Sequence, residues 1–218
     1  MIKAVIFDMD GLIVDTEKLS AKGWIKAGEN QNAKITLNET LQILGFTRKS
    51  IYEFWQKFFQ NQNVNIDKLM QDHYDYLEKI LFNEGPKKMP YVEKLLIYLT
   101  ENNYKIAVAS SSDTYHIENN LEKTNLKKYF NALASGEEVK NGKPNPDIFL
   151  LAAKKLNVKP EECLVLEDSK NGIIAAKKAG MRAIMVPDMF KVDDELKILS
   201  DKIVKNLKEV INYLEEKK

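Results

Sequence analysis

Four short runs of branched and small apolar residues, at 4–7, 106–109, 164–166 and 183–186, show no alternation with polar positions. A strand with one wet face alternates with period two; a run without that period is covered on both faces, as in a parallel sheet. Parallel neighbours cannot be joined by a hairpin and need a crossover of a dozen or more residues. Helical patterns of about that length lie between the later runs, over 114–124, 146–156 and 171–179. The chain therefore predicts a doubly wound α/β fold. A weaker apolar stretch at 132–134 is a candidate for one more strand.

Residues 16–85 break this rhythm. Ile51, Phe54, Trp55, Phe58 and Phe59 recur at helical spacing, as do Leu69, His73, Tyr76, Leu77 and Ile80, and no buried strand lies among them. About seventy residues of helix directly after the first strand exceed any normal crossover. The expected organisation is a Rossmann-like core of residues 1–15 and 86–218, with residues 16–85 inserted as a separate all-α domain. Gly85-Pro86 marks the return.

Composition narrows the function. Thirty-three Lys and Arg against 32 Asp and Glu give a formal net charge of +1, which supplies no field for nucleic acid or anionic lipid. One cysteine, Cys163, excludes an internal disulfide framework, and with two histidines it nearly excludes a nitrogen and sulfur metal site. Any metal would be held by oxygen. Neither a signal peptide nor a membrane span is visible, so a cytoplasmic setting is the expectation. The sequence sets no oligomeric state.

Acids cluster where these strands end. Asp8-Met9-Asp10-Gly11 closes the first run, and side chains two apart on an extended chain project to one side. Glu167-Asp168 closes the run at 164–166. In open α/β sheets ligands bind beyond the carboxyl ends of the strands. Carboxylates gathered there repel one another unless a divalent cation or a shared proton relieves them, and magnesium suits an all-oxygen site. Simple helix capping by Asp168 is the plainer alternative. Between these pairs, Ser110, Ser111 and Ser112 end a strand with hydroxyls and free N–H groups able to hold an anion, while Ser112 or Asp113 can at the same time cap the next helix. Lys143, in Gly142-Lys143-Pro144-Asn145-Pro146-Asp147, would add a point charge aimed at phosphate.

The stretch from Asp8 through Asp10 to Asp15-Thr16-Glu17, then Ser110, Lys143 and Glu167-Asp168, resembles the four ordered motifs of the haloacid dehalogenase superfamily. Specifically it looks like the branch with a helical cap inserted after the first motif, which holds β-phosphoglucomutases and many small-molecule phosphatases. The resemblance implies that Asp8 attacks phosphorus to form an aspartyl-phosphate and that Asp10 acts as acid and base. It implies magnesium held by Asp8, Asp168, the Asp10 backbone carbonyl and Glu167, directly or through water. It assigns the phosphoryl oxygens to Ser110, Lys143 and the N–H of Ser111. The expected partner is a small phosphate ester, admitted under a cap whose contact loop is Gly45-Phe46-Thr47-Arg48-Lys49, with Arg48 meeting a second phosphate or lying on a helix surface.

Two departures bear on the reaction. The mutases of that branch carry a histidine where this chain has Ser20 and a Lys-Asn pair where it has Asp113-Thr114. The expectation is a magnesium-dependent phosphatase, with a β-phosphoglucomutase and a non-catalytic phosphate-binding protein as alternatives. Trp24 and Trp55 at helical spacing read as core before they read as a sugar platform. Cys163 reads as a small buried side chain, and His73 and His116 as structural or surface groups.

Overall fold

Six strands, β1 (Ala4–Phe7), β2 (Lys105–Ser110), β3 (Ala132–Ser135), β4 (Cys163–Glu167), β5 (Arg182–Met185) and β6 (Lys202–Ile203), form one sheet in the order β3-β2-β1-β4-β5-β6. Every pairing is parallel. The computed structural model describes residues 1–44, 46–189 and 192–217, with the backbone alone at 82 and 84. The strand order winds outward in opposite directions from β1 and β4, the switch point at which such sheets open a crevice.

Period two survives in β1, but it sorts side chains between two dry layers. Val5 and Phe7 join one cluster, built with α5 (Val92–Glu101), α6 (Thr114–Lys123) and α10 (Lys208–Glu215), through Leu95, Leu99, Ile117 and Val210. Ala4 and Ile6 join the other, built with α7 (Asp147–Leu156), α8 (Lys170–Lys178) and α9 (Asp194–Leu199), through Phe149, Ala152, Ile173 and Leu196. Both layers are closed to water, which is why the four runs lack polar positions.

The stretch at 132–134 forms β3, with Leu133 beside Val108. The edge strand β6 escapes sequence reading because two half-buried residues carry no period. The last expected run, at 183–186, shifts by one residue because Arg182 pairs with Leu164 while Val186 lies past the ladder.

After β1 come α1 (Glu17–Glu29), α2 (Leu37–Gln42), α3 (Arg48–Phe58) and α4 (Ile66–Glu84). They close on their own apolar cluster of Trp24, Ile35, Trp55, Phe59, Leu69 and Met70. Trp24 and Trp55 are both buried in it, so the two tryptophans are core. The connections to and from these helices lie side by side: Asp15 N–H donates to Lys87 O at 2.9 Å and Met89 N–H to Ile13 O at 2.9 Å.

Candidate active site

Register delivers the acids to one rim. Phe7 stands between Val108 of β2 and Leu166 of β4, so Asp8 follows at the height where Glu167 ends its strand. Asp8 N–H still bonds Leu166 O at 3.0 Å, which fixes the carboxylate at the sheet edge. The chain then turns tightly through Gly11, whose φ of +79° favours glycine, and a Cβ there would stand 2.3 Å from Asp168 Oδ2. Gly172, in the first turn of α8, leaves room in the same way: its Cβ would overlap the carboxylate of Glu167.

Asp8, Glu167 and Asp168 each offer an oxygen within 4.8 Å of the others. Lys143 reaches into this group from the loop before α7, donating to Asp8 Oδ1 at 2.5 Å, to Glu167 Oε1 at 2.6 Å and to Ala109 O at 3.3 Å. The second oxygen of Glu167 accepts from Ser169 N–H and Ser169 Oγ, both at 2.8 Å. Asp8 Oδ2 has no hydrogen-bond partner among the described residues, and Asp168 Oδ2 is buried without one. Asp168 does not cap the following helix: Ser169 does, accepting from Gly172 N–H. The capping alternative for Asp168 therefore fails.

Burial sets the titration of these groups. Removal from water pushes the Asp8 carboxyl up to about 7, with Lys143 opposing the rise and Glu167 adding to it. Burial likewise holds Asp168 well above the ordinary carboxylate range, with Glu167 and Asp8 contributing. Burial works against the charge of Lys143, but the pull of Asp8 and Glu167 exceeds it and raises the lysine. A buried all-oxygen set in which Asp168 Oδ2 is buried without a partner fits a small hard cation.

Asp10 is held from two sides. Thr16 Oγ1 donates to its Oδ1 at 2.5 Å, while Ser112 Oγ and Ser110 Oγ donate to Oδ2 at 3.2 and 3.4 Å. The Ser110 hydroxyl expected on phosphate thus turns to Asp10 here, and accepts from Ser112 N–H at 3.1 Å. Asp113, not Ser112, caps α6, accepting from His116 N–H. Ser111 lies between these serines, and its carbonyl oxygen would be 2.3 Å from a Cβ on Gly136.

Residues of the inserted helical segment approach this rim. Thr47 touches the Lys143 loop so closely that a Cβ on Gly142 would lie 2.0 Å from its methyl group. Lys18 of α1 pairs with Asp188, beyond β5, at 2.7 Å. Half-buried Glu17 faces the acids, and burial holds it well above its ordinary range, with Asp10 and Asp8 adding to the effect. Arg48 is not brought to the carboxylates. It is exposed, with its guanidinium 4.7 Å from the centre of the Tyr74 ring, and among the described residues it has no hydrogen bond to the acid cluster. Gly45, first of the expected contact loop, lies outside the described residues.

Sequence reasoning gave no role to Thr16, Glu17 or Ser169, and it read Ser112 as an anion or capping group, not as a partner of Asp10. The first two stand in the opening motif, Asp15-Thr16-Glu17, which was the available signal. Cys163 is buried, and burial pushes its thiol up to about 11, so it is inert packing.

Over residues 5–186 the sequence matches the family model described as haloacid dehalogenase-like hydrolase. It is 34% identical over 184 residues to a phosphorylated carbohydrates phosphatase from Thermotoga maritima, an alignment covering 84% of this chain and 83% of that protein. It is 32% identical over 216 residues to hexitol phosphatase B from Escherichia coli K12, covering 96% and 94%. Among solved structures, a β-phosphoglucomutase from Clostridium difficile matches with a TM-score of 0.84 and 27% identity, over 100% of this chain and 97% of that one. With a match that runs from β1 past the end of β5, this chain belongs to the haloacid dehalogenase-like hydrolase family.

Proposed function

We propose that this protein is a magnesium-dependent phosphatase that hydrolyses a small sugar or polyol phosphate through a phosphoryl-enzyme on Asp8. The observation that carries the reading is the state of Asp8: one oxygen is pinned by Lys143 at 2.5 Å, the other has no hydrogen-bond partner among the described residues, and the carboxylate sits in one cluster with Glu167 and Asp168, an oxygen of each within 4.8 Å of the others. A carboxylate held by one oxygen, with the second free, is placed to act as a nucleophile. Phosphate monoesters are so inert that covalent, acid-base and electrostatic help must be combined.

In the first step Asp8 Oδ2 bonds to phosphorus while the ester P–O bond breaks, and the Asp10 carboxyl gives its proton to the leaving oxygen. In the second, Asp10 takes a proton from water as the water oxygen bonds to phosphorus, and the bond to Asp8 breaks. Inorganic phosphate and the free carboxylate result. Lys143 and the Ser110–Ser111 turn serve the phosphoryl oxygens, Ser110 by exchanging its bond to Asp10 for one to phosphate. Magnesium, when bound by Asp8, Asp168 and the Asp10 carbonyl, would offset the charge between nucleophile and ester. Both oxygens of Glu167 are already engaged, which favours a water-mediated contact for that residue. We assign residues 16–85 to a cap that excludes water during both steps.

The two named phosphatases support a phosphorylated carbohydrate or hexitol as substrate. Likeness to a β-phosphoglucomutase supports a second reading, interconversion of β-glucose 1-phosphate and glucose 6-phosphate. Ser20 and Asp113-Thr114, the two departures from the mutase pattern, weigh against it. A panel of small phosphate esters, β-glucose 1-phosphate included, with and without magnesium, separates the readings. Free phosphate as the main product is expected, and isomerised sugar with little free phosphate would reject the phosphatase. Asp8→Asn should lower turnover by at least a thousandfold while leaving the thermal midpoint largely unchanged; retained turnover would sink the mechanism.

A further inference from the structure

The carboxyl assigned to proton transfer, Asp10, is held by two separate parts of the chain. Thr16, which donates to Oδ1, is the residue before α1, at the entrance to the helical insert. Ser110 and Ser112, which donate to Oδ2, belong to the end of β2 and the turn into α6.

The two serines are not equivalent. Ser110 is buried, and its bond to Asp10 is the longer, 3.4 Å against 3.2 Å. A hydroxyl has one hydrogen and two lone pairs, and it can turn that hydrogen without moving its oxygen. Ser110 can therefore give its hydrogen to a phosphoryl oxygen while its Oγ still accepts from Ser112 N–H, 3.1 Å away. Ser112 is then the serine left on Asp10 Oδ2.

The backbone of Ser112 is fixed on both sides. Its N–H is on Ser110 Oγ, and its carbonyl accepts from Gly136 N–H at 3.0 Å, just past β3. Gly136 comes that close because it has no side chain: a Cβ there would stand 2.3 Å from Ser111 O. The next residue, Asp113, caps α6. The hydroxyl of Ser112 is thus anchored to the ends of two strands and not to the insert. One hydrogen bond leaves a carboxyl free to pivot. A second, on the other oxygen, fixes its plane and the direction in which its proton points, and a general acid works only when that proton lies within reach of the oxygen it serves.

We infer that Ser112 is a positioning residue for the reaction, holding the plane of the Asp10 carboxyl so that its proton meets the leaving oxygen; the inference rests on the phosphatase reading above. Ser112 acts through Asp10.

The test turns on how much the leaving oxygen needs a proton. Sorbitol 6-phosphate and benzyl phosphate must release alkoxides, which are strong bases, whereas para-nitrophenyl phosphate releases a phenolate that is stable unprotonated. In Ser112→Ala, kcat/KM for both alkoxide esters should fall about tenfold relative to that for para-nitrophenyl phosphate, a part of the roughly 10²- to 10⁴-fold that a general acid supplies. Ser112→Thr, which keeps the hydroxyl, should restore most of the ratio. Equal losses on all three esters, or an unchanged ratio, would overturn the inference. So would a loss confined to sorbitol 6-phosphate, which would mark a direct contact with the polyol hydroxyls. Failure of the unaltered protein to hydrolyse any of the three with magnesium would instead remove the phosphatase reading, and this inference with it.

Discussion

Removing the ammonium of Lys143 would leave Asp8, Glu167 and Asp168 buried within 4.8 Å of one another with no positive charge among them. Breaking a buried pair on one side costs about 3 kcal/mol or more. Lys143→Met should therefore show that loss in urea denaturation without divalent cations at neutral pH, and less of it as acid protonates the carboxylates. A loss that stayed constant with pH would mean the lysine matters for packing alone. His73 gives a second pH signature. Its folded pKa, about 3, is depressed from the ordinary 6.5, so between those values the unfolded chain binds a proton that the folded one refuses. The stability it protects is complete above pH 6.5 and is lost progressively as pH falls toward 3. Between pH 7 and 5 this histidine alone should cost about 2 kcal/mol. His73→Gln should flatten that limb of the stability curve; an unchanged slope would show that the ring protonates inside the fold.

At the scale of elements, the seam between α3 and the Lys143 loop is set by the absence of a side chain at Gly142. A methyl group there would meet Thr47 at 2.0 Å, so Gly142→Ala should hold the cap off the core. The expected result is a KM raised about tenfold with the folded core intact, and a change confined to kcat would argue for displacement of Lys143 instead. What the sequence made legible follows from the same distinction between local and distant contacts. The runs in β1, β2, β4 and β5 stood out because strands dry on both faces have no polar period. Asp8, Asp10, Lys143 and Glu167-Asp168 stood out because each closes a strand or heads a turn. Thr16 and Ser112 did not stand out as partners of Asp10, since a hydroxyl acquires meaning only from its partner, and Ser112 lies 102 residues from Asp10. Arg48 was legible as a cation but not as the neighbour of Tyr74, because that contact depends on how α3 crosses α4.

Taken whole, the molecule concentrates buried negative charge at one crevice, and a cation bound there only in the folded state must stabilise the entire fold. Magnesium at a hundred times its dissociation constant would add about 2.7 kcal/mol, or about 5–10 °C in the thermal midpoint of a chain this size. Asp168→Asn should abolish most of that shift. A midpoint indifferent to magnesium in the unaltered protein would remove the metal from the proposal. The paired linkers carry a different consequence. Because Asp15 bonds Lys87 and Met89 bonds Ile13, the core closes on the helical insert as it would on a single long loop. Closure entropy grows only logarithmically, by about 0.6 kcal/mol for each doubling of length. The architecture therefore lets the helices between those linkers lengthen, shorten or be exchanged at almost no thermodynamic cost to the sheet, so that new specificities can be tried on an unchanged catalytic chassis.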